Sequence, residues 1–139
     1  MAVFKYESGL GSVAAYMASA KPFLSSSINV ASGGNTIVSI SFPNVSKFVT
    51  IRNMGPTGSV PAGLRFGFSA NGVTGSVNNN YVVLDNGESY TGDFRVTSVY
   101  LMTNGAAVTN NATASIIAGM TGIGLDELYH NWSGSSGVG

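Results

Sequence analysis

The sequence contains no cysteine and a single histidine, and only 9% of its 139 residues are charged. The absence of cysteine excludes disulfides and thiolate metal sites. Six basic residues balance six acidic ones, so the chain has no electrostatic reason to bind nucleic acid or an anionic membrane surface. No uninterrupted apolar run reaches about eighteen residues, and we therefore expect no membrane span.

The scarcity of charge has a further consequence for the surface. A soluble monomer normally keeps a charged surface, whereas this chain combines few charges with a mean hydropathy of +0.24. Coverage of the surface by neighbouring subunits is the simplest explanation, so the composition favours self-assembly. The first residues also lack the basic start and long apolar core of a signal peptide, which predicts synthesis in a cytoplasm.

His130 is the single candidate for a histidine base. Asp126 and Glu127 precede it by four and three residues, a spacing that on a helix places a carboxylate beside the imidazole. A catalytic or metal site must be held rigidly, however, and this segment runs directly into a Gly/Ser-rich end. We therefore interpret it as a solvated turn.

Asp85, Glu88 and Asp93 form a second candidate, because a calcium ion binds several carboxylate oxygens. Their spacing is not that of a calcium-binding loop, and Asp85-Asn86-Gly87-Glu88 is already a strong turn signal. A structural cation stays open as an alternative. We predict that the protein is not an enzyme and has no catalytic residues, cofactor or metal site.

Two runs with a period of two mark the centre of the chain, Lys47–Asn53 and Leu64–Ser69. Alternate positions carry the apolar side chains, which is typical of half-buried strands. The apolar members are Val49, Ile51, Leu64, Phe66 and Phe68. The Gly/Pro-rich residues 54–63 between the runs are predicted to form a connection, because proline lacks the donor that a ladder needs.

Further short strands are predicted on both sides of this centre. In Ser12–Ala20 alanine favours a helix and the alternation fits a strand; we predict a strand. Ala70–Asn80 is predicted to be a polar loop, and the almost wholly apolar Thr113–Thr121 to be a strand covered on both faces. The remaining predicted strands are Phe23–Val30, Thr36–Phe42, Tyr81–Leu84 and Ser89–Met102, the last broken near Gly92. About eight strands predict an all-β protein, an antiparallel β-sandwich in the form of a single eight-stranded jelly roll.

The chain divides into an N-terminal arm (1–11), a β-sandwich domain (12–121) and a C-terminal tail (122–139). Gly and Ser bury too little surface for the end of the tail to fold alone. The two ends nevertheless carry large apolar side chains, which we predict to be interface residues: Phe4, Tyr6, Leu125, Leu128, Tyr129 and Trp132. Deletion of residues 124–139 is therefore expected to leave a folded sandwich that assembles poorly.

Several phrases of the sequence look familiar as a set. They are Ala18–Phe23, Phe42–Asn53, Leu64–Val73, Leu84–Ser89, Ala118–Ile123 and the Gly-Val-Gly end. Together they resemble small β-sandwich structural proteins of icosahedral double-stranded DNA viruses, of the marine phage and algal virus type. The resemblance implies a penton, minor capsid or cement subunit of a virion. Its partners would be copies of itself or the major capsid protein.

Two other functions are compatible with a β-sandwich. A carbohydrate- or receptor-binding module would use exposed aromatic side chains near amides, for which Tyr81, Tyr90 and Trp132 are the candidates. An extracellular filament subunit is the other alternative, and the missing signal sequence weakens it.

Overall fold

The period-two runs of the sequence fold into short strands. The computed structural model describes residues 21–32, 36–56, 63–75, 79–104 and 110–125. Within these ranges the strands are β1 (Lys21–Val30), β2 (Val38–Ser41), β3 (Ser46–Pro56), β4 (Leu64–Gly67), β5 (Tyr81–Leu84), β6 (Ser89–Gly92), β7 (Ser98–Thr103) and β8 (Ala112–Met120). One short helix, α1 (Ala70–Thr74), lies between β4 and β5.

The strands form two four-stranded antiparallel sheets. Sheet A has the order β1-β8-β3-β6, and sheet B has the order β2-β7-β4-β5. β1 pairs with β8, β2 with β7, β3 with β6 and β4 with β5, so the first half of the chain pairs with the second half in reverse order. The prediction of an all-β antiparallel sandwich is confirmed.

The strand registers show at which end of the sandwich each connection between strands lies. Lys21 and Ser46 both lie opposite Met120, and Ile123 accepts a hydrogen bond from the backbone of Val45. This end, which we call the terminal end, carries the β2–β3, β4–β5 and β6–β7 connections and both limits of the described fold. The opposite end, the loop end, carries the other four connections.

Apolar side chains from both sheets meet in one core. β3 and β4 are inner strands of opposite sheets, and their predicted inward residues Ile51 and Phe66 are both buried. The core consists of Val30, Phe42, Val49, Ile51, Leu64, Phe66, Leu84, Val96, Val99, Leu101, Ala112, Ala114, Ile116, Ala118 and Met120. Alternation along the two central strands therefore predicted the inward face correctly.

Two local predictions were wrong. β3 extends into the first part of the predicted connection and ends at Pro56, which lies opposite Ala112. A bulge precedes this pair, and Gly55 in it has a φ of +100°. Glycine tolerates this backbone conformation, so the ladder resumes after the irregularity. The predicted polar loop contains α1, because Ser69 Oγ accepts the Gly72 N–H at 2.9 Å and caps the helix start.

The prediction that the last strand is covered on both faces was also wrong. Along β8 burial alternates, with Ile116 buried and Ile117 47% exposed. Apolar composition indicated coverage that the described residues do not supply. The predicted strand Ser12–Ala20, the arm 1–11 and residues 126–139 of the tail lie outside the described residues.

Buried polar side chains secure the positions where the chain leaves its strands. They are Ser46, Asn53, Ser69, Thr103 and Thr121, and in the described part of the chain no buried side-chain nitrogen or oxygen lacks a hydrogen-bond partner. Asn53 donates from Nδ2 to the carbonyl of Leu84 at 3.0 Å and accepts the N–H of Gly55 at 2.9 Å. At the other end of β3, the hydroxyl of Ser46 donates to the carbonyl of Phe94 and accepts the N–H of Val96.

Truncation of either central apolar side chain should destabilise the fold. Ile51→Ala and Phe66→Ala each leave a cavity in the core, and we expect each to lower the free energy of unfolding by about 2–5 kcal/mol. Ser39→Ala, on an exposed position of β2, is the control and should change it by less than about 0.5 kcal/mol. Denaturant unfolding measures all three; losses below about 0.5 kcal/mol for both core variants would contradict the inward assignment.

Asn53→Ala should be similarly costly although it removes no apolar surface. It leaves the carbonyl of Leu84 and the N–H of Gly55 without their partner, and unsatisfied groups cost about 1–3 kcal/mol each. We expect a loss of about 2–4 kcal/mol in chemical denaturation. Asn29→Ala, an exposed amide on β1, serves as the matched control. Equal effects of the two substitutions would show that Asn53 does not secure the β5–β6 connection.

Candidate functional site

Large apolar side chains that remain exposed are the starting point for a functional site in this fold. Within the described ranges they are Leu24, Met54, Val82, Tyr90, Ile117 and Leu125. Leu24 and Ile117 lie together on sheet A, and Val82 and Tyr90 lie on the edge strands β5 and β6.

The outer face of sheet A carries a row of side chains that crosses all four strands. Leu24 lies opposite Ile117, Ile117 opposite Thr50, and Thr50 opposite Thr91. The hydroxyls of Thr50 and Thr91 are 2.8 Å apart and form a hydrogen bond. Leu24 is 70% exposed and Ile117 47% exposed, so the β1 end of the row is an apolar surface without a charged group.

The neighbouring rows on this face are also poor in charge. One row contains Pro22, Gly119 and Phe48, and the other contains Ser115, Arg52 and Ser89. Arg52 is the one charged residue of the three rows, which together we call the sheet A face. A groove of about 310 Å³ runs beside Leu24 and is lined by Leu24, Ser25, Ser26, Ser115, Ile116 and Ile117.

The outer face of sheet B, in contrast, is covered by α1 over β4 and β7, while Ser39 on β2 stays exposed. Val73 of this helix is fully buried, and a Cβ placed on Gly67 would lie 3.5 Å from the Val73 Cβ. Arg65 holds this cover in place: its Nε donates to Asn104 Oδ1 at 2.9 Å, and its guanidinium lies 4.3 Å from the centre of the Tyr81 ring. Its Nη1 also donates to the carbonyls of Val73 and Thr74 at the end of α1, where a cation is favourable.

Four aromatic rings link β4 of sheet B to β6 of sheet A. The ring centres of Phe66 and Phe68 are 6.4 Å apart, those of Phe68 and Phe94 4.9 Å, those of Phe94 and Tyr90 6.2 Å, and those of Tyr90 and Phe66 5.7 Å. We call these four residues the aromatic cluster. Because β6 is an edge strand, Tyr90 stays 43% exposed although it lies opposite the buried Ile51.

A groove of about 250 Å³ opens beside this cluster on the β5 side. It is lined by Phe66, Gly67, Phe68, Asn79, Asn80, Tyr81 and Val82. Amides next to a tyrosine are what the carbohydrate-binding alternative requires, although Arg65 already covers one face of the Tyr81 ring. Tyr90 contacts Phe66 of this groove, and Trp132 lies outside the described residues.

Of the predicted interface residues, Leu125 lies within the described part of the chain. Leu125 is 42% exposed next to the terminal end. Phe4, Tyr6, Leu128, Tyr129 and Trp132 lie outside the described residues, and so does the candidate base His130 with its two carboxylates. The sequence patterns did not single out Leu24 and Ile117, although the polar Thr113 and Ser115, which share a face of β8 with Ile117, were a signal for a solvent-facing side.

The candidate calcium ligands do not converge. The carboxylate of Glu88 accepts the N–H of Asp85 at 2.8 Å and so closes the turn before β6. In the part of the chain that the structure describes, no three His, Cys, Asp or Glu side chains are grouped so as to hold a metal ion. Among the same residues, no helix has the length and apolar character needed to cross a membrane.

Comparison with known proteins gives little beyond this geometry. No family model matches the chain, and no curated protein matches it. A solved structure from work on Bacillus endospore appendages, described there as a novel family of disulfide-linked pili, is similar at 18% identity and a TM-score of 0.38. The match covers 73% of this chain and 87% of that chain. A similarity at this level establishes neither the fold nor the function of this chain.

Gly92→Ala should open the aromatic cluster. A Cβ at position 92 would clash with Cε2 and Cζ of Phe94, so the ring must leave its place against Phe68 and Tyr90. Overpacking of this kind typically costs about 1–3 kcal/mol, measurable by denaturant unfolding, and the near-UV circular dichroism of the rings should change. Ser89→Ala, on an exposed position of the same strand, is the control. An unchanged near-UV spectrum for Gly92→Ala would contradict this description.

Proposed function

We propose that this protein is a non-enzymatic structural subunit of an icosahedral virus particle: a penton, minor capsid or cement protein. It assembles with copies of itself or bridges major capsid proteins, and its location is the virion. The observation that carries the proposal is the sheet A face, where Leu24 and Ile117 are exposed beside each other in a chain with only 9% charged residues. Burial of two adjacent apolar side chains against another subunit lowers the free energy of the assembly.

The strand order supports the same reading. Nested pairing of eight strands across two sheets is the arrangement expected of a jelly roll, and we infer that the fold is one. Jelly rolls occur in viral capsid proteins and in lectin domains, so the architecture is compatible with the proposal and does not select it. The selection comes from the sequence resemblance together with the exposed face.

The buried polar groups support a structural role as well. Ser46, Asn53 and Thr121 each bond backbone groups where the chain leaves a strand. Their hydrogen-bonding capacity serves the fold.

A carbohydrate-binding module is the second candidate. The groove with Asn79, Asn80 and Tyr81 favours it, because amides and an aromatic ring at one concave site can orient a neutral polar ligand. Saturable binding of neutral oligosaccharides by the full chain, lost in Asn79→Ala, would favour this function over the structural one. An extracellular filament subunit would use the same sheet A face as the capsid subunit.

The proposal predicts that the full chain forms discrete oligomers or particles in native mass spectrometry and negative-stain electron microscopy. Deletion of residues 126–139 keeps Ile123, whose carbonyl accepts the Val45 N–H and the side chain of Asn44, so the truncated chain should fold. Loss of Trp132 and its apolar neighbours should weaken assembly by about tenfold or more, as removal of an interface hot spot does.

Deletion of residues 133–139 alone is the matched control for this prediction, because it keeps Trp132 and removes mainly Gly and Ser. It should assemble as the full chain does. A full chain that stays monomeric at every concentration would overturn self-assembly, and the proposed function would then stand only if the chain bridges major capsid proteins. Equal assembly of both truncated chains would show that the tail is a passive extension.

A further inference from the structure

β1 differs from the other edge strands of the sandwich in its length. It spans ten residues, whereas the edge strands β2, β5 and β6 have four each. Within the described residues β8 is the strand hydrogen-bonded to β1, and no strand lies on its other side. The backbone groups on a strand edge are a template for pairing with a further strand.

Two features limit the part of this edge that can pair. Pro22 has no N–H to donate at the start of the strand. A bulge after Ser25, with Ser27 at a φ of +55°, interrupts the ladder before it resumes at Ile28. The bulge divides the edge into two short regular segments, and the one between Pro22 and the bulge has Leu24 at its centre.

The core fixes the direction of Leu24. Phe23 packs edge-to-face against the buried Phe42, with ring centres 5.0 Å apart. Because alternate side chains of a strand point to opposite faces, Leu24 is directed to the outer face beside Ile117. The groove of about 310 Å³ adjoins it there. An incoming strand at this edge would therefore bring a side chain next to an existing apolar pair.

We propose that this edge pairs with the same edge of a second copy, antiparallel about a two-fold axis near Leu24. The two A sheets then continue into one another, and the apolar row becomes Ile117, Leu24, Leu24 of the partner subunit and Ile117 of the partner subunit. The inference names the contact through which the proposed structural subunit assembles, and so it rests on the proposed function.

A second copy is the occupant that the chemistry of this edge favours. Two copies of the same strand edge can always pair antiparallel about a two-fold axis, because the edge is then complementary to itself. Residues 22–29 carry no charged side chain, so two copies meet without like-charge repulsion. With antiparallel pairing centred on Leu24, Lys21 of one copy and Lys21 of the partner subunit lie at opposite ends of the paired segment. Symmetry also supplies the apolar side chain that covers Leu24.

The proposed contact is closed and small. A two-fold contact uses the same edge on both copies, so it cannot propagate into a fibre. So short a pair of strand segments buries less than the roughly 1,200 Å² of a typical specific interface. It therefore acts as one of several contacts of the subunit in an assembly, and a covalent trap is the suitable way to detect it.

Leu24→Cys provides that trap, because the chain has no cysteine and a disulfide can form only between two copies. Directly opposed residues of antiparallel strands have Cα atoms about 4.5–5.5 Å apart, within the range that a disulfide spans. Val82→Cys is the matched control: it lies on the edge strand β5 and is 45% exposed. Under mild oxidation we expect the covalent dimer of Leu24→Cys to form at least about tenfold faster than that of Val82→Cys.

A charge pair gives an independent test. Leu24→Lys and Leu24→Glu should each weaken assembly alone, because like charges then face each other across the two-fold axis. An equimolar mixture should recover it, since the introduced ammonium group of one variant faces the introduced carboxylate of the other only if the two edges pair. Val82→Lys, as a control, should assemble like the unmodified chain.

Assembly of the unmodified chain, measured in parallel, separates the two hypotheses. If it assembles while the two cysteine variants cross-link at equal rates and the mixture of charge variants gains nothing, pairing of the β1 edges is wrong and the proposed function stands. Pairing of the β1 edges is also wrong, and the proposed function still stands, if the N-terminal residues of the same chain or a different protein occupy the edge. If the unmodified chain stays monomeric and no cross-link forms, pairing of the β1 edges and self-assembly of the subunit both fail.

Discussion

Wherever the chain crosses from one sheet to the other, backbone N–H and C=O groups leave the ladders and need other partners in the interior. β3 meets this need at both of its ends. Asn53 bonds the backbone of Leu84 before the chain crosses into β6, and its own N–H donates to the Glu88 carbonyl beyond the turn. Ser46 bonds Phe94 and Val96 where the chain crosses back. Two polar side chains, each fully buried, thus tie β3 to the β5–β6 and β6–β7 connections between the sheets.

The same principle explains why the two outer faces differ. The β4–β5 connection stays within sheet B, and its residues fold back as α1, with Ser69 capping the start and Arg65 bonding the carbonyls at the end. No described segment folds over sheet A, where the connections cross to the other sheet at its ends. The face with Leu24 and Ile117 is therefore left uncovered by the topology of the described chain, and burial of these two side chains against another surface would be favourable.

The central strands could be predicted from the sequence because their signal is local: alternation alone places Ile51 and Phe66 in the core. α1 has a local signal too, the cap at Ser69, but the polar run after Ser69 predicts a loop. The sheet A face could not be predicted, since it depends on Leu24 lying opposite Ile117, residues separated by most of the chain. For Ile117 composition was misleading: an apolar strand indicates burial on both faces only when something covers the second one.

A surface with few charges must achieve specific association by geometry, because like-charge repulsion and charge pairing are scarcely available to exclude wrong partners. The edges of this sandwich show how geometry can do so. Three of them are four residues long, which leaves little backbone for unintended pairing. The fourth, β1, is long but interrupted at Ser27, and the interruption divides it into two short regular segments, one of them centred on Leu24. A chain with mean hydropathy above zero can then expose an apolar row at one place on sheet A. Its short or interrupted edge strands at the same time oppose the unlimited addition of strands from other molecules.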